Sequence, residues 1–171
     1  MLAFVTVGST KFDALINSTL SEPVLNALRS KGFTSLVVQS GNSPVDVSGG
    51  TTADSVTRLQ KSGLDIEIWK FKPSLEPEYE RADLIISHAG SGTILDVLRR
   101  HKHLIVVPNP TLLDNHQEDL ATSLGGLGHL KAATVENLPE AIEAFDSYVV
   151  PFPDFEPSRF QQVMDQEMGF E

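Results

Sequence analysis

Two shortages in the sequence exclude whole classes of chemistry. None of the 171 residues is cysteine, which excludes disulfides, thiolate catalysis and cysteine-ligated zinc and fits a reducing compartment. Basic residues are also few: 13 Lys and Arg stand against 23 Asp and Glu, for a formal net charge of -10. A surface of this sign repels phosphate backbones and anionic headgroups, so no nucleic-acid partner is predicted.

Long apolar runs are missing as well. No uninterrupted apolar stretch approaches the ~20 residues of a membrane span, so the sequence predicts no direct span. The N-terminal stretch MLAFVTVGST has no positive segment and turns at Gly8, which favours a strand over a signal peptide. Hydrophobic residues still make up 40% of the chain, which suffices for one folded domain.

Several nucleotide and metal motifs are absent too. The sequence contains no GxxxxGK[ST], no HExxH and no Asp-x-Asp, and its first turn, Gly8-Ser9-Thr10, lacks the GxGxxG pattern. The second predicted strand ends in Gln39 instead of an acidic ribose-binding residue, which argues against NAD. The neighbours of Ser91 do not match a serine hydrolase elbow. We therefore predict no metal and no cofactor.

Short apolar segments alternate with helical patterns along most of the chain. The apolar segments predict buried strands at 2–7, 36–39, 66–71, 84–87 and 104–107, and a weak one at 130–135. The patterns between them predict helices at 12–20, continued over 23–32, and at 76–81, 94–100, 114–124 and 138–145. This alternation predicts an α/β fold: a Rossmann-like parallel sheet with helices on both faces.

Two segments depart from the alternation. Residues 42–63 are rich in Ser, Gly, Thr and Asp, which predicts a long loop, with room for one helix at the periodic patch 56–59. Residues 149–164 contain three prolines and three phenylalanines and predict an extended arm that leads to a last helix at 158–166. We therefore expect a domain at 1–148 and an aromatic arm at 149–171 that packs on the domain or on a partner.

The stretch SHAGSGT at 87–93 lies where a parallel sheet binds ligands, at the carboxyl end of a predicted strand. Gly90 and Gly92 allow close approach to the backbone, and the following helix N-terminus favours an anion, so the expected ligand is a phosphate group. His88 would donate a hydrogen bond to it, and Ser91 and Thr93 offer hydroxyls.

An alternative interpretation needs no ligand. Ser91 or Thr93 would cap the helix, with Asp96 completing a pair that resembles a capping box. Small residues are common at such turns, and the stretch by itself leaves both interpretations open.

A second polar cluster follows the next strand. Residues 108–110 read Pro-Asn-Pro, and Asp114, Asn115, His116 and Gln117 open the next helix. Adjacent loops of one sheet converge, so these side chains could hydrogen-bond the hydroxyls of a sugar beside the phosphate. Asp114 and Gln117 also have the spacing of a capping box, which is the alternative.

Three motifs together resemble a known family. They are FVTVGST at 4–10, ADLIISHAGSGT at 82–93 and DNHQ at 114–117. The chain resembles the small cytosolic, donor-binding subunit of the eukaryotic UDP-N-acetylglucosamine transferase of the dolichol pathway, in its fungal form. That subunit is similar in turn to the C-terminal half of the bacterial lipid II N-acetylglucosaminyltransferase.

The resemblance implies one half of a GT-B glycosyltransferase. This chain would bind UDP-GlcNAc, and a membrane-anchored subunit would complete a heterodimer and bind dolichyl-diphosphate-GlcNAc. GlcNAc would be transferred to that acceptor with inversion, giving the chitobiosyl lipid of N-glycosylation. The chain itself would be cytoplasmic and recruited through the partner to the cytosolic face of the endoplasmic reticulum.

The resemblance also assigns roles to residues. The diphosphate would be held by His88, Gly90, Ser91, Gly92 and Thr93, and the ribose would lie near Asp96. The sugar hydroxyls would be read by Asn115, His116 and Gln117. Ser9 and Thr10 would line the cleft between the two halves, and backbone groups near Phe71 and Lys72 would meet uracil.

No residue of this chain is assigned as the general base. Asp13 and His116 are the local candidates, and the family pattern places the base in the partner. The rival hypothesis is a non-catalytic Rossmann-like module that uses its aromatic tail only to bind or regulate a membrane partner. For the docking of the partner subunit itself, Phe152, Phe155 and Phe160 are the expected contacts. A transferase with another donor or acceptor is a third possibility.

Overall fold

The computed structural model describes residues 1–46, 48–111, 116–146, 149–154 and 156. Strands and helices alternate along most of this length. The strands are β1 (Leu2–Thr6), β2 (Ser35–Gln39), β3 (Thr51–Ala53), β4 (Val56–Lys61), β5 (Leu64–Trp69), β6 (Leu84–His88), β7 (His103–Val107) and β8 (Lys131–Ala132). The helices are α1 (Asp13–Thr19), α2 (Glu22–Ser30), α3 (Glu76–Arg81), α4 (Ser91–Leu98), α5 (His116–Gly126) and α6 (Leu138–Glu143).

The described strands form one sheet in the order β3-β4-β5-β2-β1-β6-β7-β8. From β5 to β8 all neighbours are parallel, as the sequence predicts, whereas β3 and β4 pair antiparallel at one edge. After β1 the chain adds β2 on one side, and later β6 on the other side. The sheet therefore has its switch point between β1 and β6, where open α/β sheets bind ligands.

Helices cover both faces of the sheet because successive strand residues point to opposite sides. In β1, Val5 packs with α1, α2 and α6, whereas Phe4 packs with α3 and α4. Both residues are fully buried, which stabilises the fold by roughly 1.5–3 kcal/mol for each side chain. The two-sided burial explains why the central strands read as continuous apolar runs.

Residues 42–63 are not the long loop with a helix that the composition predicts. They contain β3 and β4, which extend the sheet beyond β5. The patch at 56–59 misleads because Val56 and Leu59 stand three residues apart, a helical spacing, yet in a strand they pack on opposite faces. Two-residue hairpin loops join β3 to β4 and β4 to β5. All four loop residues have positive φ: Asp54, Ser55, Ser62 and Gly63.

The first part of the predicted arm packs on its own domain. The backbone N–H of Val150 donates to the Gly128 carbonyl at 2.9 Å, and Nδ1 of His129 lies 2.9 Å from the Val150 carbonyl. The Phe152 ring meets His129 edge-on at 5.3 Å between ring centres. Phe155, Phe160 and the predicted helix at 158–166 lie outside the described residues. In the described ranges, no helix is long and apolar enough to cross a membrane.

Candidate donor-nucleotide site

The two turns that the sequence singles out lie side by side at the switch point. Thr6 near the end of β1 is paired with Ser87 in β6, so the turn after β1 and the turn after β6 leave the same edge of the sheet. We call residues 8–10 the first turn and residues 88–93 the α4 turn. A ligand placed at this edge would meet both.

Helix α4 begins without a side-chain cap. Its N-cap is Gly90, and no described side chain bonds the cap position. Ser91 and Thr93 are already inside the helix, and Asp96 lies beyond its first turn, so the capping alternative is wrong. The first backbone N–H groups of a helix have no acceptor within it, and the first bond here runs from the Ile94 N–H to the Gly90 carbonyl. The N–H groups of residues 91–93 are therefore available to bind an anion.

The imidazole of His88 fills the gap between the two turns. A Cβ placed on Gly90 would lie 2.5 Å from Nε2, and one placed on Gly8 would lie 3.0 Å from Cε1. Glycine at both positions is therefore required for the ring to sit where it does. Gly8 also has a φ of +60°, which side chains other than glycine rarely adopt.

His88 is 8% exposed, and its burial controls its charge. Burial lowers the pKa of His88 below the ordinary value of 6.5, and the backbone of Thr6 opposes this effect only in part. The ring is therefore neutral at pH 7 and supplies one N–H donor. Its Nδ1 is buried and has no hydrogen-bond partner among the described residues.

The polar groups of the first turn are engaged inside the protein. The Thr10 hydroxyl donates to the Val7 carbonyl at 2.6 Å, and the Ser9 carbonyl accepts from Nδ2 of Asn42 at 2.9 Å. Beneath the turn lies Gln39, buried and bonded to Gly8. Gln39 served in the sequence analysis only to argue against NAD, and its bonds to Gly8 were not predicted. The one signal in the sequence was a polar amide side chain at the end of a buried strand.

Part of the second polar cluster is joined to the residue that follows the first turn. Asn109 is buried, and its Nδ2 donates to the Lys11 carbonyl at 3.3 Å. Its backbone N–H donates to Oε1 of Gln117, also at 3.3 Å. An open pocket of about 560 Å³ adjoins Asn109 and Gln117. Asn115 lies outside the described residues, as does the side chain of His116, which opens α5.

Comparison with known proteins decides the family. The profile of the glycosyltransferase family 28 C-terminal domain matches residues 2–148. The chain belongs to this family. A relative from Cryptococcus neoformans, "UDP-N-acetylglucosamine transferase subunit ALG13", is 34% identical over 192 residues, covering 98% of this chain and 96% of that one.

Solved structures agree with the family 28 assignment. The solution structure of ALG13 matches with a TM-score of 0.69 at 26% identity, over 95% of this chain and 93% of that one. MurG of Acinetobacter baumannii matches in fold, with a TM-score of 0.60 at 23% identity, over 97% of this chain and 42% of that enzyme. The predicted fold class, the C-terminal half of a GT-B glycosyltransferase, is confirmed, as is the resemblance to the UDP-N-acetylglucosamine transferase subunits.

Other residues singled out by the family resemblance lie around the two turns. Phe71 follows the end of β5 and is 56% exposed. Lys72 lies over the Trp69 ring at 4.3 Å and pairs with Glu78 at 2.7 Å, so its charge is already engaged. The roles assigned to these residues, and to Ser9, Thr10 and Asp96, stay predictions.

The candidate base Asp13 opens α1, just after the first turn. Its Oδ2 lies 3.3 Å from Nζ of Lys11, and its Oδ1 is buried without a hydrogen-bond partner among the described residues. No group of three or more His, Asp or Glu side chains able to hold a metal occurs in the described part of this family 28 domain.

Proposed function

We propose that the chain is the donor-binding subunit of a UDP-N-acetylglucosamine transferase and holds the diphosphate of UDP-GlcNAc at the α4 turn. The observation that carries the proposal is the start of α4, which no described side chain caps and which lies beside His88 at the switch point. The printed names of the Cryptococcus relative and of the ALG13 structure support the choice of sugar nucleotide.

The α4 turn suits the leaving group of such a transfer. The acceptor hydroxyl attacks the anomeric carbon from the face opposite the diphosphate, which accounts for inversion. Its oxygen forms the new glycosidic bond, the bond to the diphosphate breaks, and the hydroxyl proton passes to a base. Negative charge develops on the departing UDP, where the helix N-terminus and the His88 N–H stabilise it.

The sugar and the base of the donor extend to either side of the diphosphate. Gln117 lies on the side of β7, where its amide is held near the first turn through Asn109. Phe71 and Lys72 lie on the side of β5, where their backbone would meet uracil. Asp96, on α4, is the candidate for the ribose.

A second subunit completes this enzyme. A GT-B transferase needs two facing domains, and this chain corresponds to 42% of MurG. The word "subunit" in the name of the relative supports a heteromer. We assign acceptor binding and the general base to a membrane-anchored partner on the cytosolic face of the endoplasmic reticulum, with dolichyl-diphosphate-GlcNAc as the acceptor. Asp13 and His116 are the alternatives for the base within this chain.

Titration with UDP-GlcNAc tests the donor site. His88→Ala removes one donor to a charged group, worth about 1.5–3 kcal/mol, so we expect affinity to fall by roughly 10- to 100-fold while circular dichroism stays unchanged. The control is His101→Asn beyond the other end of α4, where the side chain is 54% exposed and φ is +52°. Asn tolerates that backbone angle, and binding should persist.

Failure of wild type to bind donor, even with its partner, would favour the non-catalytic module.

A transfer assay tests whether the site is divided between two subunits. The chain alone should transfer little GlcNAc to a lipid acceptor in detergent, and co-expression with a candidate membrane subunit should restore transfer. Full activity of the chain alone would contradict the assignment of the base to the partner.

A further inference from the structure

The side chain of Gln39 uses all of its hydrogen-bonding capacity beneath the first turn. Its Oε1 accepts from the Thr6 hydroxyl at 2.6 Å and from the Gly8 N–H at 2.8 Å. Its Nε2 donates to the Gly8 carbonyl at 2.8 Å and to the Lys70 carbonyl at 2.7 Å. An amide offers two donors and two acceptor positions, so all four are filled. Gln39 is 1% exposed, so water does not compete with these bonds.

The partners allow one orientation of the Gln39 amide. Turning it over would place the NH₂ group against the N–H of Gly8 and the oxygen against two carbonyls, those of Gly8 and Lys70. Each of these contacts would be repulsive. The observed arrangement thus specifies both the rotamer of Gln39 and the path of the backbone that it contacts.

Three neighbouring strands end at this amide. Gln39 is the last residue of β2, which lies between β5 and β1 in the sheet. On one side it holds Gly8, whose backbone packs against the His88 ring. On the other side it holds Lys70, the residue before Phe71. One buried side chain therefore connects the His88 region with the end of β5.

We propose that Gln39 is a positioning residue for nucleoside diphosphate binding. By holding Gly8 and Lys70 together, Gln39 sets the distance between two parts of the site. One is the diphosphate side, at His88 and the α4 turn. The other is the side beyond β5, where the uracil base is expected. This inference rests on the proposed function and adds to it a residue that acts through the backbone of its neighbours and makes no contact with the ligand.

A purely structural role would give a different result. If the four bonds only stabilised the fold, losing them would lower the unfolding temperature and leave nucleotide affinity unchanged well below that temperature. A variant of the same strand with a similar loss of stability provides the comparison. Val38→Ala serves, because Val38 is fully buried in the core next to Gln39 and has no polar side-chain atom.

The experiment is a titration of the ¹⁵N-labelled full chain with UDP and with UDP-GlcNAc at a temperature where every variant is folded. The variants are Gln39→Leu, which removes all four bonds, and Gln39→Glu, which keeps oxygen acceptors for Thr6 and the Gly8 N–H and loses the two donors. We expect affinity for both nucleotides to fall about tenfold or more in Gln39→Leu. A similar fall is expected in Gln39→Glu, because its second carboxylate oxygen would face the Gly8 and Lys70 carbonyls. In Val38→Ala it should equal that of wild type. The Gly8 amide resonance should move in the two Gln39 variants and not in Val38→Ala.

Equal affinities in Gln39→Leu, Val38→Ala and wild type would overturn the positioning role and leave the proposed function standing. If Gln39→Leu does not fold, Gln39→Glu decides the question by the same comparison. Absence of nucleotide-induced shifts at the α4 turn of wild type would instead overturn the proposed function, and the positioning role with it.

Discussion

The first turn and the α4 turn leave adjacent strands at the same edge of the sheet, yet they differ in where their polar groups point. In the first turn, the N–H and carbonyl of Gly8 and the hydroxyl of Thr10 are bonded within the protein. At the α4 turn no described side chain caps the helix. The first turn is thus a rigid support, and the α4 turn has donors left over for a ligand.

The glycines in and around the two turns fall into two groups. Gly8, Gly41 and Gly90 are required because neighbouring atoms leave no room for a side chain. At Gly92 a Cβ would meet no described atom within 4 Å. Nothing in the packing of the described residues demands glycine there, which fits the proposed contact with the diphosphate.

The largest effect is expected at Gly41, which packs under the first turn. Its φ is +55°, and a Cβ there would lie 2.6 Å from the Gly8 carbonyl oxygen and 3.0 Å from that of Thr10. Because backbone strain and a backbone clash add, we expect Gly41→Ala to lower the free energy of unfolding by about 3 kcal/mol, measured by denaturant titration. Gly32→Ala is the control, since Gly32 has a φ of +87° and no described atom within 4 Å. Equal losses would mean that the first turn is not tightly constrained.

Gly92→Ala should change stability and donor affinity in opposite directions. Alanine is the better helix former, so thermal stability should stay equal or rise by up to about 1 kcal/mol. A methyl group against a bound diphosphate should weaken UDP-GlcNAc binding by about tenfold, or ~1.4 kcal/mol, in a calorimetric titration. Gly126→Ala in α5, where no described atom lies within 4 Å, should leave binding unchanged. Unaltered donor affinity in Gly92→Ala would contradict the expectation that the α4 turn, unlike the first turn, contacts the ligand.

The buried ring between the turns should make stability depend on pH. Burial lowers the pKa of His88 below 6.5, so below that pH the unfolded chain binds a proton that the folded chain does not. The free energy of unfolding should therefore fall on acidification, by at most ~1.4 kcal/mol per pH unit, until folded His88 is protonated. His88→Gln should lack this contribution between about pH 7 and pH 5, and His101→Asn should keep it. Parallel profiles for wild type and His88→Gln would contradict the burial argument.

The smallest effect is expected at Thr10. Thr10→Val removes the bond from its hydroxyl to the Val7 carbonyl and should lower the free energy of unfolding by about 1 kcal/mol. Thr10→Ser keeps the hydroxyl and should cost less in thermal unfolding. Because this hydroxyl is engaged within the first turn, UDP-GlcNAc affinity should stay close to wild type in both variants. A large loss of affinity in Thr10→Val alone would show that the first turn also contacts the ligand.

Most of the fold follows from local pattern. Strands buried on both faces read as short apolar runs, and helices between them show a periodic apolar face, so the parallel part of the sheet is predicted correctly. Residues 42–63 are not, because Val56 and Leu59 have a helical spacing while packing on opposite faces of a strand. A pattern of two apolar residues cannot distinguish these cases without the neighbouring strand.

The candidate site divides along similar lines. SHAGSGT predicts the location of the α4 turn, and three motifs identify the family, since their combination is specific although each motif alone is weak. The role of Gln39 is not predictable, because its partners Gly8 and Lys70 are 31 residues away in opposite directions along the chain.

The sequence by itself determined the fold class and the family, because each is carried by patterns and motifs whose residues lie close together in the chain. Only the tertiary structure decided that the start of α4 is uncapped, that His88 is buried between two glycines, and that one amide connects three strand ends. These properties arise from contacts between distant segments, and contacts of that kind form only when the sheet brings the carboxyl ends of its strands together.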